Sequence, residues 1–259
     1  MTAMTAHSRR PLYGAFLLFV SCACAGSGVT ADTPEHPPAQ AIASAHPLAT
    51  HAGMAILDGG GNAFDAAVAV SAALAVVEPY SSGIGGGGFW LLHRAVDGKR
   101  VMLDGRERAP LAAHRDMYLD KQGEVVPGLS MDGPLSAAIP GEPAALVHLA
   151  EHYGRLPLAR TLAPAIELAA NGFKVDDYYR RMARFRLKAL QRFPESRRIF
   201  LDDGEVPDVG TVIRQPELAV TLKALAEQGV AGFYDGPVAK KLVQGVRAAG
   251  GIWSRKDLT

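Results

Sequence analysis

From residue 66 to residue 77 the chain reads AAVAVSAALAVV, with no charge on any face, and four consecutive glycines, Gly85 to Gly88, follow soon after. A helix that is apolar all round has to be buried on every side, so this segment belongs at the centre of whatever fold forms. Its borders are marked. Gly59-Gly60-Gly61 closes a preceding helix over 49–57, because glycine is the residue most easily placed beyond a helix end. Asn62 is an N-cap with Asp65 three residues on, in the position of a capping box, and Glu78-Pro79 ends the helix predicted over 63–77. Beyond the glycines, 89–94 and 100–103 read as strands joined at Asp97-Gly98, and the charged turn Asp104-Gly105-Arg106-Glu107-Arg108 follows. That order sets a flexible backbone next to a fixed cation, a pairing suited to a small ligand with a carboxylate.

After residue 140 the pattern becomes mainly helical, over 142–153, 158–170, 176–192, 216–228 and 237–248. Proline at the starts and glycine just past the ends (Gly154, Gly172, Gly229, Gly250) punctuate these stretches. The expectation is one α/β body without internal repeats or an internal linker. Its 48% hydrophobic content suffices for a core, and a net charge of +1 gives no global attraction to nucleic acid or an anionic membrane.

The first residues differ in kind. Arg9 and Arg10 precede an apolar run, Leu12 to Val20, and then small residues ending in Ala23-Cys24-Ala25 and Val29-Thr30-Ala31. This is the order of a secretory signal, expected over 1–31, and the run is too short for a stable membrane span. Residues 32–45, rich in Pro, Thr, His and Ala, read as a linker, and 46–259 as the folded domain. Localisation is therefore expected to be periplasmic or secreted. A lipid anchor at Cys22 is the alternative reading. Both cysteines, Cys22 and Cys24, fall within the signal, so a processed chain would have neither thiol nor disulfide.

Several short motifs compete for function. Residues 83–88 satisfy G-x-G-x-x-G, but a dinucleotide fingerprint needs a strand before it and a helix after it, and here the order is reversed. A tight backbone crossing explains the glycines better. His148-Leu149-Ala150-Glu151-His152 matches H-x-x-E-H, with both histidines on one helix face and Glu227 as a conceivable third zinc ligand; a solvated helix face is the simpler account. Arg180 to Arg198 holds eight basic residues and one acid, Glu195, with Met182, Phe185, Ala189 and Phe193 at helical spacing. That pattern reads as an amphipathic surface helix, with an anion-binding face as the sharper alternative. Ser81-Ser82-Gly83 lacks the G-x-S-x-G elbow of a serine hydrolase and reads as a polar turn. Arg106 is the strongest single candidate, since a guanidinium fork can grip a carboxylate through two parallel hydrogen bonds and lysine cannot.

Taken together, Gly60-Gly61-Asn62-Ala63, Asp65-Ala66-Ala67-Val68-Ala69, the loop Ser81 to Phe89 and Asp104 to Pro110 resemble the γ-glutamyltranspeptidase (glutathione hydrolase) family. Pro140-Gly141, Tyr153-Gly154, Asn171-Gly172-Phe173, Gly250-Gly251 and Asp257-Leu258 extend the likeness in order from about residue 46 onward. The resemblance implies the N-terminal part of the large subunit of an N-terminal-nucleophile hydrolase-like αββα sandwich, incomplete here and mostly helical after residue 140. It implies an enzyme acting on γ-glutamyl substrates such as glutathione, without metal or cofactor, through a γ-glutamyl ester on a threonine whose own α-amino group serves as base. Water or an amino acid or peptide then takes the glutamyl group. Arg106 matches the family arginine that binds the substrate α-carboxylate, and Glu107 is its supporting partner.

The family's threonine, which begins a small subunit cut from the same precursor, has no counterpart among residues 46–259. The resemblance therefore implies a chain that is catalytically silent by itself and presents uncovered sheet edges and apolar surface. Two other readings stand beside it: a cephalosporin or glutaryl acylase of the same fold, and an exported non-catalytic γ-glutamyl-binding remnant.

Overall fold

Asn62 starts the helix around which the rest is arranged. The computed structural model describes residues 40–259, so the signal expected over 1–31 and most of the linker expected over 32–45 lie outside the described residues. Helix α1, Pro47–Asp58, is capped by His46, whose Nδ1 accepts from the Leu48 amide at 3.1 Å. Helix α2, Ala63–Val77, carries the capping box predicted for it, with the Asn62 side chain accepting from Phe64 and Asp65 amides and the Asp65 carboxylate accepting from the Asn62 amide. The small residues let α1 and α2 come very close. A Cβ on Gly53 of α1 would lie 2.6 Å from the Val70 side chain of α2.

The α2 face through Val68, Ala72 and Val76 is fully buried, as expected of a charge-free helix. Burial on every side does not hold, however. Ala67, Val70, Ser71 and Leu74 form a half-buried face, and Ser71 and Leu74 border a cleft. An all-apolar sequence marks which surfaces avoid water, but not which of them this part of the chain covers.

Strands β1, Gly88–Arg94, and β2, Lys99–Gly105, form an antiparallel pair in the register Gly88 to Gly105 and Trp90 to Leu103. Four residues, 95–98, close the hairpin, with Gly98 at φ 65° and Arg94 bound to Asp97 at 2.5 Å. Trp90, Leu92, Val101 and Leu103 pack on the core, while Phe89, Leu91 and Met102 face outward at 60%, 75% and 60% exposure. A long irregular stretch then crosses to a bridge between Arg108 and Ile139.

Helices α3, Glu142–Tyr153, and α4, Leu158–Asn171, pack against α2. Strand β3, Phe173–Lys174, pairs antiparallel with β4, Val212–Ile213, and between them lie α5, Asp177–Arg192, and α6, Pro194–Phe200. Helices α7, Pro216–Gln228, α8, Val230–Tyr234, and α9, Gly236–Ala248, follow, and a 3-10 turn spans Arg255–Leu258. The main core joins Val76 of α2, Leu146 and Leu149 of α3, Leu162 and Ala165 of α4, and Leu222 and Leu225 of α7. A smaller core around Ile139, Val243 and Trp253 ties the last residues to the irregular stretch, and Asp257 accepts from the Leu111 amide at 2.5 Å. Among the described residues the protein is thus helix-rich, and the strands form two short antiparallel pairs. No helix among the described residues is long and apolar enough to cross a membrane.

Candidate functional site

The glycine loop is a point where three backbone segments cross. Beyond α2 the Glu78 carbonyl accepts from the Ser81 and Ser82 amides at 2.9 and 2.8 Å, turning the chain back towards β2. The Gly86 carbonyl then accepts from both the Gly141 and Glu142 amides at 3.0 Å, which fixes the start of α3 beneath the loop. A Cβ at Gly87 would lie 2.3 Å from the Gly105 carbonyl oxygen and 2.8 Å from the Arg106 Cα. A Cβ at Gly141 would lie 2.3 Å from that same oxygen and 2.4 Å from the Arg106 carbonyl oxygen. No side chain fits at either place, and the obstructing atoms are backbone that cannot swing aside. Within residues 83–88 the crossing reading therefore holds at Gly87, while Cβ atoms at Gly83 and Gly85 would meet nothing within 4 Å, and the loop leads from a helix into a strand, opposite to a dinucleotide fingerprint.

This crossing aims Arg106. Its amide donates to Asp104 Oδ1 at 2.9 Å, its Nη1 to the Gly87 carbonyl at 3.2 Å, and its Nη2 meets Glu107 Oε2 at 3.1 Å. The guanidinium carbon stands 5.9 Å from the centre of the Phe89 ring. A guanidinium has five donors, so two engagements leave others free, and the side chain is 52% exposed. Arg106 and Glu107, both singled out from the sequence, come together in one cleft.

That cleft has a volume of about 360 Å³, and the glycine loop, Ser71, Ser82, Trp90, Arg106, Glu107 and Glu142 border it. The size suits a small molecule. Trp90 Nε1 reaches Ser71 Oγ at 3.4 Å across its wall. Glu142, at the start of α3, is buried, and its carboxyl is pushed up to about 7, first by loss of hydration and then by the neighbouring Glu107 charge. Sequence reasoning missed Glu142, Trp90 and Ser71. Glu142 looks locally like an acid placed in a first helical turn, and only the hydrogen bonds to Gly86 bring it into the cleft.

The other motifs go elsewhere. His148 and His152 stack ring on ring with centroids 4.0 Å apart, and Glu227 pairs with Lys223 at 3.8 Å. Among the described residues no cluster of three His, Cys, Asp or Glu has metal-holding spacing. The basic run disperses into separate pairs: Arg180 with Asp208, Arg186 with Asp132, and Arg198 with Glu195 and Glu217. Met182, Phe185, Ala189 and Phe193 line an apolar groove of about 500 Å³ beside Met131. Ser81 and Ser82 turn the chain and border the cleft.

The chain resembles known proteins over most of its length. The family model described as gamma-glutamyltranspeptidase matches residues 49–259. A glutathione hydrolase proenzyme of Pseudomonas sp. (strain A14) is 41% identical over 218 residues, which is 84% of this chain and 38% of that protein. The chain thus spans well under half the length of that curated relative. Among solved structures, Helicobacter pylori gamma-glutamyltranspeptidase superposes with a TM-score of 0.83 at 39% identity, covering 86% of this chain and 64% of its own. The cephalosporin acylase from Bacillus halodurans superposes with a TM-score of 0.69 at 32% identity, covering 87% and 44%. A match over most of the chain, together with this degree of identity and structural agreement, means that the protein belongs to the γ-glutamyltranspeptidase family.

Proposed function

We propose that residues 46–259 are the substrate-holding N-terminal part of a γ-glutamyltransferase or glutathione hydrolase, and that the cleft receives the glutamyl end of γ-glutamyl amides such as glutathione. Arg106 binds the α-carboxylate. Glu107 holds one edge of the guanidinium so that the remaining donors point into the cleft. The observation that carries this reading is the partly engaged fork of Arg106, fixed by Gly87 and Glu107 beside a glycine-lined space. The nucleophile is a threonine of a small subunit cut from the same precursor, and residues 46–259 contribute none. Relatives named as proenzymes support the precursor scheme. In the assembled αββα sandwich, the outward face of Phe89, Leu91 and Met102 is covered by further strands. Export by a signal over 1–31, followed by a linker over 32–45, completes the proposal.

The glutaryl or cephalosporin acylase reading draws on the likeness to the Bacillus halodurans enzyme, which is weaker in both identity and superposition. Calorimetric titration with glutathione tests the proposal. Arg106→Ala should weaken binding about tenfold or more, the worth of a charge-assisted hydrogen-bond pair at a half-exposed site. Arg106→Lys should recover little of it, since an ammonium cannot form the fork. Equal affinity in wild type and Arg106→Ala would refute the assignment. The chain alone should release no p-nitroaniline from γ-glutamyl-p-nitroanilide. Turnover would refute the placement of the nucleophile elsewhere.

A further inference from the structure

Two carboxylates and one guanidinium border the cleft. Glu107 engages Arg106 at 3.1 Å. Glu142 borders the same space from the start of α3, its Oε2 3.6 Å from where a Gly88 Cβ would stand, with only 9% of the residue exposed. The Gly86 carbonyl holds its backbone in place. Among the described residues its carboxyl accepts no hydrogen bond to offset the lost hydration. Glu107 faces it from the turn after β2, and Arg106 borders the same cleft. From α8, Tyr234 stands at the same helix start, its hydroxyl donating to the Pro140 carbonyl at 2.8 Å and accepting from the Ala144 amide at 3.3 Å, with Arg108 close by. The walls supplied by β1 and α2 present the uncharged Trp90 and Ser71.

We propose that Glu142 is a positioning residue of this anion subsite: a carboxylate that binds at Arg106 does so together with a proton held on Glu142, which acts through Glu107. The inference rests on the reading of Arg106 as the carboxylate-binding group. Its logic is electrostatic. A ligand carboxylate would be the third negative charge in a partly dry cleft that holds one guanidinium, and a proton on Glu142 removes one of the three. A protonated Glu142 leaves Glu107 as the single ionised neighbour, matched to Arg106, while an ionised Glu142 opposes both Glu107 and the ligand. Burial and Glu107 together push its carboxyl up to about 7, so the proton is available near neutrality. Binding of an anion should therefore draw in a proton, and affinity should fall as pH rises through the titration of Glu142.

The test is calorimetric titration of this chain with glutarate, which bears carboxylates and no ammonium, in buffers of low and high ionisation enthalpy. For wild type, affinity should fall about tenfold between about pH 5.5 and about pH 8.5, with net proton uptake near neutrality. Glu142→Gln, which mimics the protonated form, should bind at the low-pH affinity throughout and show no buffer dependence. Glu107→Gln, which removes the charge that raises Glu142, should move the pH dependence to lower pH. Unaltered pH dependence in Glu142→Gln, or pH-independent binding by wild type, would overturn the role of Glu142 and leave Arg106 standing. If wild type bound no glutarate at any pH, the Arg106 reading would fall and this inference with it.

Discussion

Asp65 offers the sharpest test of how the helix before the glycine loop is held. Its side chain is fully buried and serves three backbone donors from two distant parts of the chain. One oxygen accepts from the Asn62 amide at 2.8 Å, both accept from the Arg155 amide at 3.0 and 3.1 Å, and one accepts from the Leu156 amide at 3.3 Å. Asn62 adds to the same junction, its Nδ2 donating to the Tyr153 carbonyl at 2.7 Å. There is no room beside it, since a Cβ on Gly154 would lie 2.4 Å from Asp65 Oδ1. Asp65 thus fastens the start of α2 to the turn between α3 and α4. Truncation to Ala would leave three donors without their acceptor, each costing about 1–3 kcal/mol when water cannot replace it. Asp65 is buried, but the donor residues Asn62, Arg155 and Leu156 keep contact with solvent, so the lower part of that range applies and Asp65→Ala should lose about 3–5 kcal/mol, a large share of a typical domain's stability. Urea unfolding followed by far-UV circular dichroism should show a lower midpoint with an unchanged slope. Asp65→Asn keeps one acceptor oxygen but turns an amide towards the remaining donors, so it should recover only part of the loss. A loss below about 1 kcal/mol in Asp65→Ala would refute the reasoning, because it would mean the donors find other partners at no cost.

Two further substitutions probe the crossing and the core. Gly87→Ala should lower glutathione affinity about tenfold and cost about 2–4 kcal/mol, because its Cβ meets only backbone of Gly105 and Arg106, whereas Gly85→Ala, with nothing within 4 Å, should change stability by less than about 0.5 kcal/mol. Matching thermal midpoints for the two variants would count against the crossing. Gln215→Leu removes the side-chain donor that reaches the Val76 carbonyl at 2.8 Å inside the core, so urea unfolding should show a loss of about 1–3 kcal/mol. An unchanged midpoint would show that this carbonyl at the end of α2 does not depend on Gln215.

What could be read in the chain was what local chemistry encodes. The limits of α2 were legible to the residue because Asn62, Asp65 and Pro79 act on their own neighbours. The same holds for α3 and α7, which start at Glu142-Pro143 and Pro216 and stop before glycines. The pairing of β3 with β4 was not legible. It involves two residues on each side and joins Phe173 to Ile213 across two intervening helices, so no periodicity exists to reveal it. Helix α8, five residues long, hides behind Gly229 at φ 58°, which reads as a stop for α7 and does not announce a new start. Within the cleft, Arg106 and Glu107 were visible because they follow a strand in a short charged turn. Glu142 was not, because its place depends on hydrogen bonds that the Gly141 and Glu142 amides donate to a carbonyl more than fifty positions earlier.

This contrast bears on what the glycines do. A run of four invites the thought that the loop wraps a ligand with bare amides. The geometry gives one member of that run, Gly87, a different task, shared with Gly105 and Gly141 outside it. Gly87 and Gly141 are small because the backbone of Gly105 and Arg106 passes between them, and Gly105 is small because Trp90 and Ala145 press on it, each 2.6 Å from where its Cβ would be. The product of this packing is one cation held from several sides: its own amide is tied to the Asp104 carboxylate, its Nη1 to the Gly87 carbonyl and its Nη2 to Glu107. A long flexible side chain loses little further freedom on binding when it is already held in this way. The apolar helix, the glycine run and the charged turn, separate signals along the sequence, are on this view parts of one device for fixing a guanidinium at the edge of a cleft. Selectivity for a carboxylate should then respond to added bulk at residues 87, 105 and 141 as strongly as to changes in many side chains that touch the ligand.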